Sequence, residues 1–89
     1  MINWNYIGTV LDGKPMKING HNVWEYDWED TSEDPITVKD PRYGQNHKMN
    51  VYKIFINSGE EIKFAAGEFS NCVWGFYVPS EKNNQTTNN

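Results

Sequence analysis

The 89 residues carry 8 Lys and Arg against 12 Asp and Glu, a formal net charge of -4, with 15% aromatic residues and one cysteine. This is enough chain for one small core and no second one. The charge disfavours general nucleic-acid binding, which needs Lys and Arg against phosphates, and a lone Cys72 closes no internal disulfide. No apolar run is long enough for a membrane helix, and MINWNYIGTV lacks the basic and apolar regions of a signal peptide, so the expectation is a cytoplasmic domain that uses no membrane.

In chain order, the first predicted strands are 4–11 and 14–18, separated by Asp12-Gly13. Asn19-Gly20 follows; both residues tolerate the positive φ angles of a two-residue hairpin. HNVWEYDWE then alternates, with Trp24, Tyr26 and Trp28 on one side and Val23, Glu25 and Asp27 on the other, which predicts a strand over 21–28. The next residues form an acidic loop that Pro35 ends, holding Asp34 extended. From His21 to Pro35 the chain has six acids, Glu25, Asp27, Glu29, Asp30, Glu33 and Asp34, and no Lys or Arg. Such a run is either a solvated face, with Lys14, Lys17 or Lys53 across from it, or a docking surface for something cationic.

ITVK at 36–39 and a run over 46–57 read as two strands joined through KDPRYGQNHKM. Asp40, Pro41 and Gly44 are turn chemistry: Pro presets φ, Asp bonds the turn's backbone, and Gly takes a left-handed conformation. Arg42, Tyr43, Gln45 and His47 are not required by the turn. Arg and Tyr recur at the energetic centres of binding sites, so Arg42, Tyr43 and Gln45 are candidate binding residues. In MNVYKIFIN, Met49, Val51 and Phe55 oppose Tyr52, Ile54 and Ile56; in EEIKFAA, Ile62, Phe64 and Ala66 oppose Glu61, Lys63 and Ala65. These predict strands through 57 and over 60–66. AAGEFSN at 65–71 is a bulge or a single helical turn, and 72–78 is a last strand, apolar on both faces. Cys72 reads as a buried thiol, with nothing cationic beside it in sequence. SEKNNQTTNN is polar and aperiodic, so the expectation is one domain over 1–79 and a disordered tail over 80–89.

Short alternating runs bounded by turns make this all-β: a small antiparallel barrel or strongly rolled sheet of about six or seven short strands. Three functions are compatible with it. The first is a non-catalytic binding module, an acidic inhibitor or immunity-type protein that docks on a basic protein partner through Glu25, Asp27, Glu29, Asp30, Glu33 and Asp34, as a row of carboxylates standing in for phosphates. The second is a metal-independent hydrolase or nuclease with His47 (or His21) and Glu68 as acid and base and Arg42 for phosphate charge. The third is carbohydrate or peptide binding on exposed aromatics. No nucleophile motif, phosphate loop or dinucleotide fingerprint is present, and neither zinc nor calcium-loop spacing is met. No cofactor or metal is therefore expected, and the first reading leads.

Overall fold

The computed structural model describes residues 3–40 and 42–80. They form β1 (Asn3–Leu11), β2 (Lys17–Ile18), β3 (His21–Asn22), a 3-10 turn (Val23–Glu25), β4 (Glu29–Asp30), β5 (Ile36–Lys39), β6 (Asn46–Phe55), β7 (Glu61–Ser70) and β8 (Val73–Ser80). The fold is all-β and its pairings are antiparallel. The main sheet runs β1-β8-β7-β6, with β4 and β5 lying one after the other along the free side of β6; β2 and β3 form a separate hairpin. Among the described residues no helix is long and apolar enough to cross a membrane. The tail expected over 80–89 lies, beyond Ser80, outside the described residues, and Ser80 itself is paired with Asn3 in the sheet.

The sheet does not close into a barrel. Its edges are β1 on one side and β4 with β5 on the other, and no described residues pair them. β4 supplies two residues and β5 four, split by the acidic loop, so nothing continuous faces the nine residues of β1.

Both faces of the sheet are covered, as the two-sided alternation of β6 and β7 requires. Ile54, Ile62, Phe64, Ala66 and Phe76 build the larger core, roofed by Met16 and Ile18 of the hairpin segment and by Val23. Met49, Val51, Ala65 and Tyr77 build a smaller core on the other face, flanked by Trp4, Ile36, Val38 and Phe69, so the single core expected from length is divided in two by the sheet. The Asn19-Gly20 turn behaves as its sequence predicts, with φ of 53° and 84° between the paired Ile18 and His21.

The strand expected over 21–28 stops after Asn22. The Asn22 Oδ1 accepts from Trp24 N–H at 3.3 Å and Met16 N–H at 3.2 Å, capping the 3-10 turn and drawing the backbone out of the hairpin. A short amide side chain competes here with the β ladder for backbone donors. The rings of Trp24, Tyr26 and Trp28 still pack on the larger core. Trp28 stands at the centre of this packing, against Trp24, Phe64, Trp74 and Phe76, with its Nε1–H donating to Val23 O at 2.9 Å.

The 65–71 stretch is strand with a bulge. The β7–β8 register slips between Glu68 and Ser70, leaving Phe69 as the extra residue, and the strand runs on to Ser70. A bulge re-aims its side chain. The Phe69 ring comes to lie over Gly75 of β8, where an added Cβ would stand 2.2 Å from the ring.

Candidate functional site

The loop between β5 and β6 is built by Asp40. Its Oδ1 accepts from Arg42 N–H at 2.7 Å and Tyr43 N–H at 3.2 Å, while its backbone carbonyl accepts from Gly44 N–H at 2.9 Å and its own N–H donates to Gln45 O at 2.7 Å. Gly44 closes the loop at φ 74°. This is the turn chemistry expected of Asp40 and Gly44, and its result is to hold the side chains of Arg42, Tyr43 and Gln45 at fixed positions.

Those three side chains line a cleft of about 1050 Å³. Its opposite wall is β1, through Tyr6 and Leu11, and Phe69 also lines it. The cleft thus joins the loop at one edge of the sheet to the strand at the other. Tyr6, Leu11 and Tyr43 are 45%, 56% and 73% exposed, and they are three of the five exposed large apolar side chains among the described residues. Grouping at one concave place is what separates a binding surface from the scattered apolar exposure every protein has. The guanidinium of Arg42 lies 5.9 Å from the centre of the Tyr43 ring, in cation–π range.

Tyr6 and Leu11 share the cleft because of a second bulge. The β1–β8 register slips between Tyr6 and Gly8, so the alternation of β1 inverts at Ile7. Before the slip Trp4 packs on the smaller core and Tyr6 meets Tyr77 at 5.4 Å between ring centres; after it, Val10 packs on the larger core and Thr9 and Leu11 face the cleft. The Tyr6 and Thr9 hydroxyls are hydrogen-bonded across the slip. Strict alternation would put residues 6 and 11 on opposite faces, and the sequence reasoning missed both, along with Phe69.

Asp40 is largely buried in the lining of the cleft, with a carboxyl pKa held below the ordinary 3.8. The Arg42 N–H bond is the main cause; burial opposes it, and the Tyr43 N–H bond and the neighbouring His47 add to the lowering. Tyr77, on the sheet below, has its hydroxyl pushed above 10.0, chiefly by burial and then by Tyr6 and Asp40.

His47 does not line the cleft. Its ring meets Phe69 edge-on at 5.2 Å, and its Nε2 stands 3.5 Å from Asp40 Oδ2, in ion-pair range but without a hydrogen bond. Glu68, the suggested acid–base partner, instead accepts from Cys72 N–H at 3.2 Å in the β7–β8 turn. His47 is therefore held by Asp40 and Phe69, and Glu68 by the turn. His21 Nδ1 lies 3.3 Å from the Tyr26 hydroxyl, away from both. Cys72 is exposed, not buried: it occupies the turn between Ser70 and Val73 at φ 65°, which puts its side chain outside the sheet. Among the described residues no three His, Cys, Asp or Glu side chains converge as a metal site would need.

The acidic run lies elsewhere. β4 pairs Glu29 with Lys53, seven residues along β6 from Asn46 at the cleft end, roughly 23 Å at strand rise. Glu25, Asp27, Glu29, Asp30, Glu33 and Asp34 are all exposed. Glu33 is paired with Lys63 at 2.8 Å. Lys53, although across from Glu29, directs its amine to Glu61 at 3.6 Å. The Asp30 carboxylate accepts from Ser32 N–H, and no described cation pairs with it or with Glu25, Asp27, Glu29 or Asp34.

The tryptophans are half-buried: Trp24, Trp28 and Trp74 pack against the larger core and Trp4 flanks the smaller. No protein-family model, curated protein or solved structure matches the chain.

Proposed function

We propose that this protein is a non-catalytic binding module that docks on a basic protein surface through the acidic run from Glu25 to Asp34. The observation that carries the reading is the run itself: six exposed carboxylates in ten residues, of which Glu33 alone has a cationic partner among the described residues. Like charges gathered within ten residues of one chain repel one another, and a cationic surface set against them relieves that repulsion. The association expected is fast, steered over distance and weakened by salt. An inhibitor or immunity-type role follows from the same chemistry, because a basic surface built for phosphate accepts a row of carboxylates in its place.

The test is a pull-down from the native cytosol at low and at moderate salt, with the wild-type chain and with Glu25, Asp27, Glu29 and Asp30 together changed to Ser. The wild type is expected to retain basic proteins that salt releases, and the variant to lose them. The same proteins retained by both chains would end the proposal.

A further inference from the structure

The two edges of the sheet are defended differently. On the β4–β5 side an incoming strand meets Glu29, Asp30, the acidic loop and Lys39, with the ladder broken between two and four residues. Charges and interruptions of this kind are how edges avoid pairing with foreign strands. Between the bulge at Ile7 and the Lys14 turn, β1 carries no charge of its own and its ladder is continuous from Gly8 to Leu11. Its nine residues, NWNYIGTVL, include no charged side chain, and among the described residues no strand pairs with its outer side, where the Lys14 N–H takes only the last carbonyl, that of Leu11.

The free backbone groups can be located. Asp12 N–H donates to Cys72 O at 2.8 Å, toward β8. Backbone direction alternates along a strand, so Val10 also points its N–H at β8, while Thr9 turns both its N–H and C=O outward and Leu11 its N–H. The outward carbonyl of Leu11 is taken by Lys14 N–H at 2.9 Å. Thr9 and Leu11 also line the cleft, with Tyr6 and Val10 of the same strand. An unsatisfied strand edge and an apolar-walled cleft therefore meet along the same residues.

We propose that the Gly8–Leu11 edge of β1 binds an extended peptide segment of a partner protein by strand addition, with one large apolar or aromatic side chain of that segment entering the cleft between Leu11, Tyr6 and Tyr43. The edge supplies main-chain hydrogen bonds, which only another backbone matches in series, and the cleft supplies selectivity at alternate positions. Two features favour a short peptide over a second copy of the chain. The bulge at Ile7 divides the edge into two four-residue halves out of register, which a symmetric β1–β1 pair would have to span and a short segment does not. Two copies would also bring together net charges of -4, whereas a neutral or basic peptide meets no such repulsion. This site is separate from the acidic run, and neither proposal depends on the other.

The experiment selects binders from a displayed library of random twelve-residue peptides on the full chain, then measures the selected synthetic peptides on three variants. Thr9→Pro removes an outward N–H and leaves the β8-facing ladder intact, as proline is tolerated on the solvent side of an edge. Leu11→Lys places a charge on the edge, and Tyr43→Ala opens the cleft. Circular dichroism and the urea midpoint check that each folds; should Thr9→Pro fail to fold, Leu11→Lys at an exposed position carries the edge test. Selected peptides are expected to share one large apolar residue and to lose about tenfold or more in affinity on both edge variants. The proposal is overturned if no peptide is selected, or if the peptides bind the edge variants as tightly as the wild type. It is equally overturned if the free protein sediments as a dimer with its β1 amides protected from exchange, or if a glycan array shows sugar binding that Tyr43→Ala abolishes and Thr9→Pro leaves intact.

Discussion

Gly75→Ala tests whether Phe69 is seated in the way that shapes the cleft. An alanine Cβ there would lie 2.2 Å from Phe69 Cε2 and 2.5 Å from Cζ, where ordinary contact begins at 3.4 Å. The ring must withdraw by more than about 1 Å, since close-packed interiors cannot absorb such an overlap. Overpacking of this kind costs about 1–3 kcal/mol. Against it, alanine in a strand gains about 0.5–1 kcal/mol over glycine, so Gly75→Ala should destabilise by a net of about 0–2.5 kcal/mol. In a Phe69→Ala background the obstacle is gone and the same substitution should stabilise by about 0.5–1 kcal/mol. Urea denaturation of the four proteins of this cycle reads the coupling, expected at about 1–3 kcal/mol. In heat denaturation, 1 kcal/mol is about 4–8 °C for a domain of this size. An equal cost of Gly75→Ala in both backgrounds would refute the assignment of Phe69 to the Gly75 surface, and with it the described wall of the cleft.

Trp28→Ala removes the ring at the centre of the aromatic packing and should cost about 3–5 kcal/mol, whereas Trp28→Phe keeps most of the packing and removes one of two donors to Val23 O, the Tyr26 N–H at 3.3 Å remaining, for a cost of about 0.5–1.5 kcal/mol; chemical denaturation separates the two. Asp40 has a lower carboxyl pKa folded than its ordinary 3.8, so its contribution to stability is fully present above that value and is lost as pH falls through the folded pKa. Asp40→Asn should therefore flatten the acid limb of a stability–pH curve. Tyr77 is shifted the other way, above 10.0, so its contribution is present below that value and is lost as pH rises through the folded pKa; Tyr77→Phe should flatten the alkaline limb, followed by tyrosinate absorbance. A double-mutant cycle on Glu33 and Lys63 should give about 0.2–1 kcal/mol, falling with added salt, because the pair is largely exposed.

Some of this was legible residue by residue. The opposed sets in β6 and β7 supply the two cores, Ile54, Ile62 and Phe64 on one face and Met49, Val51 and Ala65 on the other, while Phe55, grouped with Met49 and Val51, is exposed at the strand end. Asp40 and Gly44 make the turn their types imply, and Arg42, Tyr43 and Gln45, which that turn did not need, line the cleft. Other readings failed for local reasons. The alternation of Trp24, Tyr26 and Trp28 looked like a strand, but Asn22 captures the backbone donors of Met16 and Trp24 and ends it. Cys72 reads as a buried thiol because nothing cationic adjoins it, yet it sits in a two-residue turn, where the absence of a neighbouring charge says nothing of burial.

By itself the sequence determined the period of the strands, the hairpin at Asn19-Gly20, the Asp40 loop and the separation of charge, because each depends on residues within one turn or one strand of one another. The tertiary structure alone decided which side chains meet in the cleft. Tyr6 and Leu11 share a wall through the slip at Ile7, Phe69 is turned over Gly75 by the slip before Ser70, and the loop at Asp40 faces β1 from the far edge of the sheet. A bulge changes the parity of every residue beyond it, and whether one forms depends on the register of the neighbouring strand, which no stretch of sequence read alone contains.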